Sequence, residues 1–148
     1  MCKNILEILS KRTSQQFATE VGTETHKKMQ KIVIDGDLII GNNTLIQQIK
    51  LKKELLQFFT KSSQTEVPLA GVINGKFISR RIDRLIKDDE TKHILFLDYK
   101  TDTNKNLFRE KYIAQMKDYK ELLKKIYPSY SVHGLILWLQ DFTTEEIC

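Results

Sequence analysis

Asp98 and Lys100 stand two apart in His93-Ile94-Leu95-Phe96-Leu97-Asp98-Tyr99-Lys100, a run apolar enough to read as a strand covered on both faces. Side chains alternate across a strand, so both residues share a face with Ile94 and Phe96, their Cα atoms about 7 Å apart. A carboxylate and an ammonium that continue an apolar row are costly to desolvate unless partners compensate. The preceding strand supplies Asp83, in Ile82-Asp83-Arg84-Leu85. If the two strands pair antiparallel through the polar turn at 87–91, Asp83 and Asp98 come close together. Neighbouring carboxylates repel, and a hard divalent cation relieves the repulsion. Standing alone, Asp-x-Lys is also an ordinary strand-end ion pair beside a loop, so its meaning depends on what surrounds it.

The elements that must position these residues can be read in order. Glu66 to Ile73 reads as a strand, Asn74-Gly75 as a tight hairpin turn, and Lys76 to Ile86 as the returning strand. The strand at 93–100 follows. Residues 107–127 carry an apolar stripe at helical spacing, through Tyr112, Gln115/Met116, Tyr119, Leu122/Leu123 and Ile126. Val132 to Leu139 closes as a strand. Upstream, three helices are expected: 3–20, a second opening at Gly22-Thr23 and running to about Val33 with Thr23 as cap, and 43–60. The expected fold is α/β, a mixed central sheet flanked by helices. It forms one domain over 1–148, with a helical part (1–62) and a β-β-β-α-β core (63–148).

The chain has 148 residues, a length that suits a single domain with a real core. Apolar residues make up 41% and charged residues 29%, which excludes disordered and collagen-like classes. No apolar run approaches the ~20 residues of a membrane span. The opening Met1-Cys2-Lys3-Asn4-Ile5-Leu6-Glu7 is a poor secretory signal. Cys2 and Cys148 cannot form a disulfide framework, and a cytoplasmic setting is expected. The net charge of +5 favours polyanionic partners, although a lysine-rich surface also serves solubility. Gly71 to Lys76 mimics a phosphate loop, but it is one residue short and Phe77 stands where Ser or Thr is required.

Ile82-Asp83-Arg84-Leu85, Phe96-Leu97-Asp98-Tyr99-Lys100-Thr101 and Tyr112-Ile113-Ala114-Gln115-Met116-Lys117-Asp118-Tyr119 together resemble the RecB/AddA-type nuclease domain, a branch of the PD-(D/E)XK nuclease superfamily. Gly22-Thr23-Glu24-Thr25-His26 resembles the upstream histidine motif of that branch, and Glu66-Val67-Pro68 resembles the acidic strand start of AddA-like members. The resemblance runs from about residue 15 to 140. It implies a restriction-endonuclease-like core and hydrolysis of DNA phosphodiesters with Mg²⁺ or Mn²⁺, in the processing of single strands or ends during double-strand-break repair. It further implies that Asp83, Asp98 and the Tyr99 backbone carbonyl hold metal, that His26 completes the site, and that Lys100 orients the attacking water or stabilises charge on the phosphate. Gln115 and Tyr119 would stand beside the active site and the DNA. Relatives carry this domain at the end of a helicase–nuclease. This chain has no helicase motif, so unwinding would fall to a helicase partner. The four-cysteine iron–sulfur cluster of some relatives is not expected, because two distant cysteines cannot supply it.

Several of these residues have a plainer reading beside the functional one. Tyr112, Gln115 and Tyr119 lie on the stripe that must pack on the sheet, and the two tyrosines also suit a core. His26 alone reads as an exposed helix histidine, and Glu66 as a strand-end acid that could instead help bind metal. Lys117 belongs to a helix basic enough to lie along DNA or simply to be solvated. One departure from the family pattern stands out. A glycine is usual three residues before the first metal aspartate, whereas here Arg80 is followed by Arg81. Two arginines at that point either crowd the site or reach the DNA backbone. The alternative to an enzyme is a module that keeps the nuclease fold, binds DNA or a helicase, and has weak or no activity.

Overall fold

The computed structural model describes residues 24–102 and 104–147. The expected helix at 3–20 and the Thr23 cap, like both cysteines, lie outside them. Residues 24–30 are helical (α1). A hairpin follows, of β1 (Val33–Asp35) and β2 (Leu38–Ile40), then α2 (Asn43–Lys50), α3 (Lys53–Leu56) and a 3-10 turn at Gln57–Phe59. The main sheet comprises β3 (Gln64–Ile73), β4 (Lys76–Asp88), β5 (His93–Lys100), β6 (Ser131–Trp138) and β7 (Thr143–Ile147), with α4 (Lys105–Ile126) crossing between β5 and β6.

The sheet order is β3-β4-β5-β6-β7. All neighbours are antiparallel except β5 and β6, which the α4 crossover makes parallel. The fold is therefore α/β, a mixed five-stranded sheet with helices on both faces. The β3–β4 turn is made by Asn74 (φ 51°) and Gly75 (φ 76°), both left-handed, as a two-residue hairpin requires. Gly134 sits opposite Phe96 in the parallel ladder, and a Cβ there would lie 2.4 Å from the Phe96 ring. Only glycine lets that ring lie flat across the neighbouring strand.

β5 is buried on both faces. Ile94 and Phe96 join Leu69, Ile82, Met116, Tyr119, Leu122 and Ile136 under α4. Leu97 and Tyr99 join Met29, Ile32, Ile46, Ile49, Phe58 and Phe59 under the N-terminal elements. Two apolar layers thus hold one central strand, and truncating Phe96 to alanine is expected to cost about 3–5 kcal/mol.

The structure corrects three expectations. The single helix at 43–60 is broken: Leu51 caps α2 and is 84% exposed, and Lys52 is extended. The break turns Leu55, Phe58 and Phe59 onto the sheet, which a straight helix of that length would not allow. The N-terminal part is not wholly helical, because α1 stops at residue 30 and Gly36 (φ 60°) turns the β1–β2 hairpin. β7 was not expected at all. Its Thr143-Thr144-Glu145-Glu146-Ile147 is a polar edge strand, held by pairing with β6 rather than by its own apolar pattern.

Candidate active site

The β4–β5 ladder sets Arg84 opposite Leu97 and stops there. One step further along, Asp83 and Asp98 stand at the same level. The Asp83 carboxylate takes the place of the next rung: Tyr99 N–H donates to its Oδ2 at 2.7 Å. On β3, Glu66 lies at the same level and breaks the β3–β4 register, with a left-handed backbone (φ 51°) that is costly for a residue with a Cβ. The strands therefore part where the acidic residues gather.

Asp83 and Asp98 are both buried. Burial, above all, pushes the Asp83 carboxyl up to about 9. The Asp98 charge and a side-chain hydrogen bond with Asp98 add to the rise, Glu66 adds a little, and the Tyr99 N–H opposes it. Asp98 Oδ2 lies 2.8 Å from Lys100 Nζ, yet no hydrogen bond of good geometry reaches that buried oxygen.

Lys100 is held on three sides. Its side chain is only 13% exposed. Besides Asp98, its ammonium donates to Gln115 Oε1 at 2.8 Å and lies 4.2 Å from the Tyr112 ring centroid. Tyr112 in turn donates its hydroxyl to Asp102, and burial raises its phenol above the ordinary range. Gln115 and Tyr119, one helical turn apart on α4, both face the site. Tyr119 packs edge-on against Phe96, and its phenol, pushed up by burial, feels both Asp98 and Asp83.

His26 approaches from the opposite face, on α1. Its Nε2 is 3.2 Å from the Tyr99 carbonyl and 3.7 Å from Asp83 Oδ2. Asp83, filling the gap between strands, is thus reached from both layers. Arg80 is exposed, with Nη1 donating to the Ser79 carbonyl, and its charge reaches the Tyr119 phenol. Arg81 and Lys117 lie on exposed parts of β4 and α4. The structure thus brings together Asp83, Asp98, Lys100, Gln115, Tyr112, Tyr119, His26 and the Tyr99 carbonyl, with Glu66 in electrostatic reach. It leaves Arg81 and Lys117 in solvent.

Among the described residues, no three His, Cys, Asp or Glu side chains form a preassembled metal cluster. The donor chemistry nevertheless suits a hard divalent cation. It offers two adjacent buried carboxyls and a backbone carbonyl beside an imidazole. Two residues of the site were not picked out from sequence. Asp102 escaped notice because it sits in a loop. Arg84 carried a usable signal, a cation inside the apolar run Ile82-Asp83-Arg84-Leu85.

No known family model matches the chain, and no curated protein matches it. Among the chains of known structure that do match is the crystal structure of a protein designated SSO0001, at 20% identity and a TM-score of 0.42. The match covers 70% of this chain and 48% of that one, so the chain spans about half the length of its structural neighbour.

Proposed function

We propose that this chain is a divalent-cation-dependent DNA nuclease of the RecB/AddA type, with Mg²⁺ or Mn²⁺ as cofactor, acting on single strands or DNA ends. One observation carries the reading: Asp83 and Asp98 are buried side by side with Lys100 on Asp98. A fold gains nothing by burying two mutually repelling carboxylates, whereas a cation between them would give the arrangement a use. Asp83, Asp98 and the Tyr99 carbonyl would hold the cation, with His26 and Glu66 at its edge. When bound, such an ion lowers the pKa of water and offsets negative charge on a phosphate.

The chain's own residues supply the rest. Lys100 presents a positive charge in a water-poor setting, where it acts strongly on a phosphate oxygen. Gln115 and the Tyr112 ring hold that ammonium in place. Arg80 is free to meet the DNA backbone beyond the site, and a helicase partner would deliver the strand.

The test is cleavage of end-labelled single-stranded DNA with Mg²⁺ or Mn²⁺. Activity should be present in the wild type, absent with chelator, and abolished in both Asp98→Ala and Lys100→Ala. Cleavage that survives both substitutions rules the reading out. The second reading, a binding module without activity, is favoured by one observation: Lys100 already neutralises Asp98 directly. It predicts metal-independent DNA or helicase binding and no cleavage.

A further inference from the structure

Arg84 is 2% exposed and has no ion-pair partner among the described residues. A buried cation without an anion is costly unless hydrogen bonds and dipoles replace one. Here Nη2 donates to the carbonyls of Met29 (2.8 Å), Gln30 (3.1 Å) and Ile32 (2.9 Å). Nη1 donates to the Phe58 carbonyl (3.2 Å) and Nε to the Tyr99 hydroxyl (2.9 Å). The guanidinium carbon lies 4.5 Å from the Phe59 ring centroid.

Two of these five acceptors, Met29 and Gln30, sit in the last turn of α1 and a third, Ile32, just past it, where the helix-end carbonyls carry partial negative charge. His26 lies one turn earlier on that helix, so fixing Met29 and Gln30 fixes His26. The fourth bond ties the 3-10 turn to the same point, and the fifth ends on the phenol of Tyr99, whose own carbonyl faces His26. Only the five-donor fork of arginine can serve so many acceptors at once; lysine cannot.

We propose that Arg84 is a positioning residue: it fastens α1 to β5 and so sets His26 against the Tyr99 carbonyl and Asp83. This assignment rests on the reading of those three as the cation-binding end of the site. It makes the hydrogen-bonded support behind a metal centre a cation on the reverse side of the sheet.

The test uses Mn²⁺ titration by calorimetry together with the imidazole NMR signals of metal-free protein. In Arg84→Gln, Mn²⁺ affinity should fall about 10-fold or more, the usual cost of removing such support. His26→Ala should lose a similar factor, and the double variant should be no weaker than the worse single one. Arg84→Lys should recover only part of the loss. Tyr99→Phe removes one bond of the five and should lose less affinity, in the same direction. Its His26 ring signals should shift while those of His93 and His133 stay in place.

Unchanged Mn²⁺ affinity in a folded Arg84→Gln, or losses that simply add in the double variant, would overturn the proposal. If Arg84→Gln does not fold, Tyr99→Phe decides the matter by the same two readouts. Wild-type protein that binds no Mn²⁺ would overturn the nuclease reading instead. The His26 signals would then decide the role of Arg84 alone: a shift in Tyr99→Phe supports it and fixed signals refute it.

Discussion

Asp83 and Arg84 are adjacent on one strand and both buried, yet the fold treats their charges in opposite ways. Arg84 meets five acceptors and an aromatic face. Asp83 meets one backbone N–H, a histidine 3.7 Å away and a second carboxylate that raises its pKa. One charge is fully compensated by the protein itself, and the other is left short. Fully satisfied buried polar groups stiffen a structure. Groups left short cluster where a ligand completes them. The same strand therefore carries a fully compensated charge on one residue and an under-compensated one on the next.

That contrast can be broken at four points, taken from the largest effect down. Asp98→Asn keeps the shape and removes the charge, so cleavage of single-stranded DNA should fall about 10³-fold, as when a main electrostatic contact of a reaction is lost. A gel assay across Mn²⁺ concentrations checks it, and a loss rescued by more Mn²⁺ would show weakened cation binding rather than lost chemistry. Arg84→Met removes the donor to the buried carbonyls of Ile32 and Phe58 and leaves the Met29 carbonyl only the Ile32 N–H. Urea unfolding should show a loss of about 3 kcal/mol, consistent with orphaned buried acceptors.

Asp83→Asn should act in the opposite direction in cation-free protein. The folded carboxyl titrates near 9 against 3.8 for the ordinary group. Its contribution to stability is therefore full below about pH 4 and is lost as pH rises towards 9, because the unfolded chain ionises first. The variant should be more stable than wild type by about 1–4 kcal/mol at pH 8 and show a flatter profile, as when a buried charge is replaced by a neutral group. Added Mn²⁺ should reverse the order, since it stabilises only the form with the carboxylate. Tyr112→Phe keeps the ring against Lys100 and removes only the bond to Asp102. Activity should drop no more than about 5-fold, in keeping with about 1 kcal/mol for one hydrogen bond. A larger loss would assign the hydroxyl itself a part in the reaction.

Much of the sheet was legible because its signals are local. Asn74-Gly75 demanded a hairpin, and the alternation and apolar run of 93–100 demanded a doubly covered strand. The N-terminal part was read less well. Residues 43–60 show helical spacing, but the chain breaks at Leu51 and Lys52 to reach the sheet, a requirement set by the partner surface. β7 is polar and takes its form from β6, so no pattern within it announced a strand. In the candidate site, the shared face of Asp98 and Lys100 and the nearness of Asp83 followed from strand period and antiparallel pairing, while their roles came only from the family resemblance. The bracing by Arg84 and the Asp102–Tyr112 bond did not, because each joins residues that only folding brings together.

What the chain carries in its order alone is the face on which Asp98 and Lys100 lie, the turn that folds β3 onto β4, and the stripe that lays α4 on the sheet. Those follow from the period-two and period-3.6 geometry of the backbone, which acts over a few residues. Tertiary structure alone decided that His26 reaches the Asp83 side of the site from the far layer, and that Arg84 is compensated while Asp83 is not. Such outcomes depend on which dipoles and charges meet in a dry interior after distant segments pack, and no local spacing encodes that meeting.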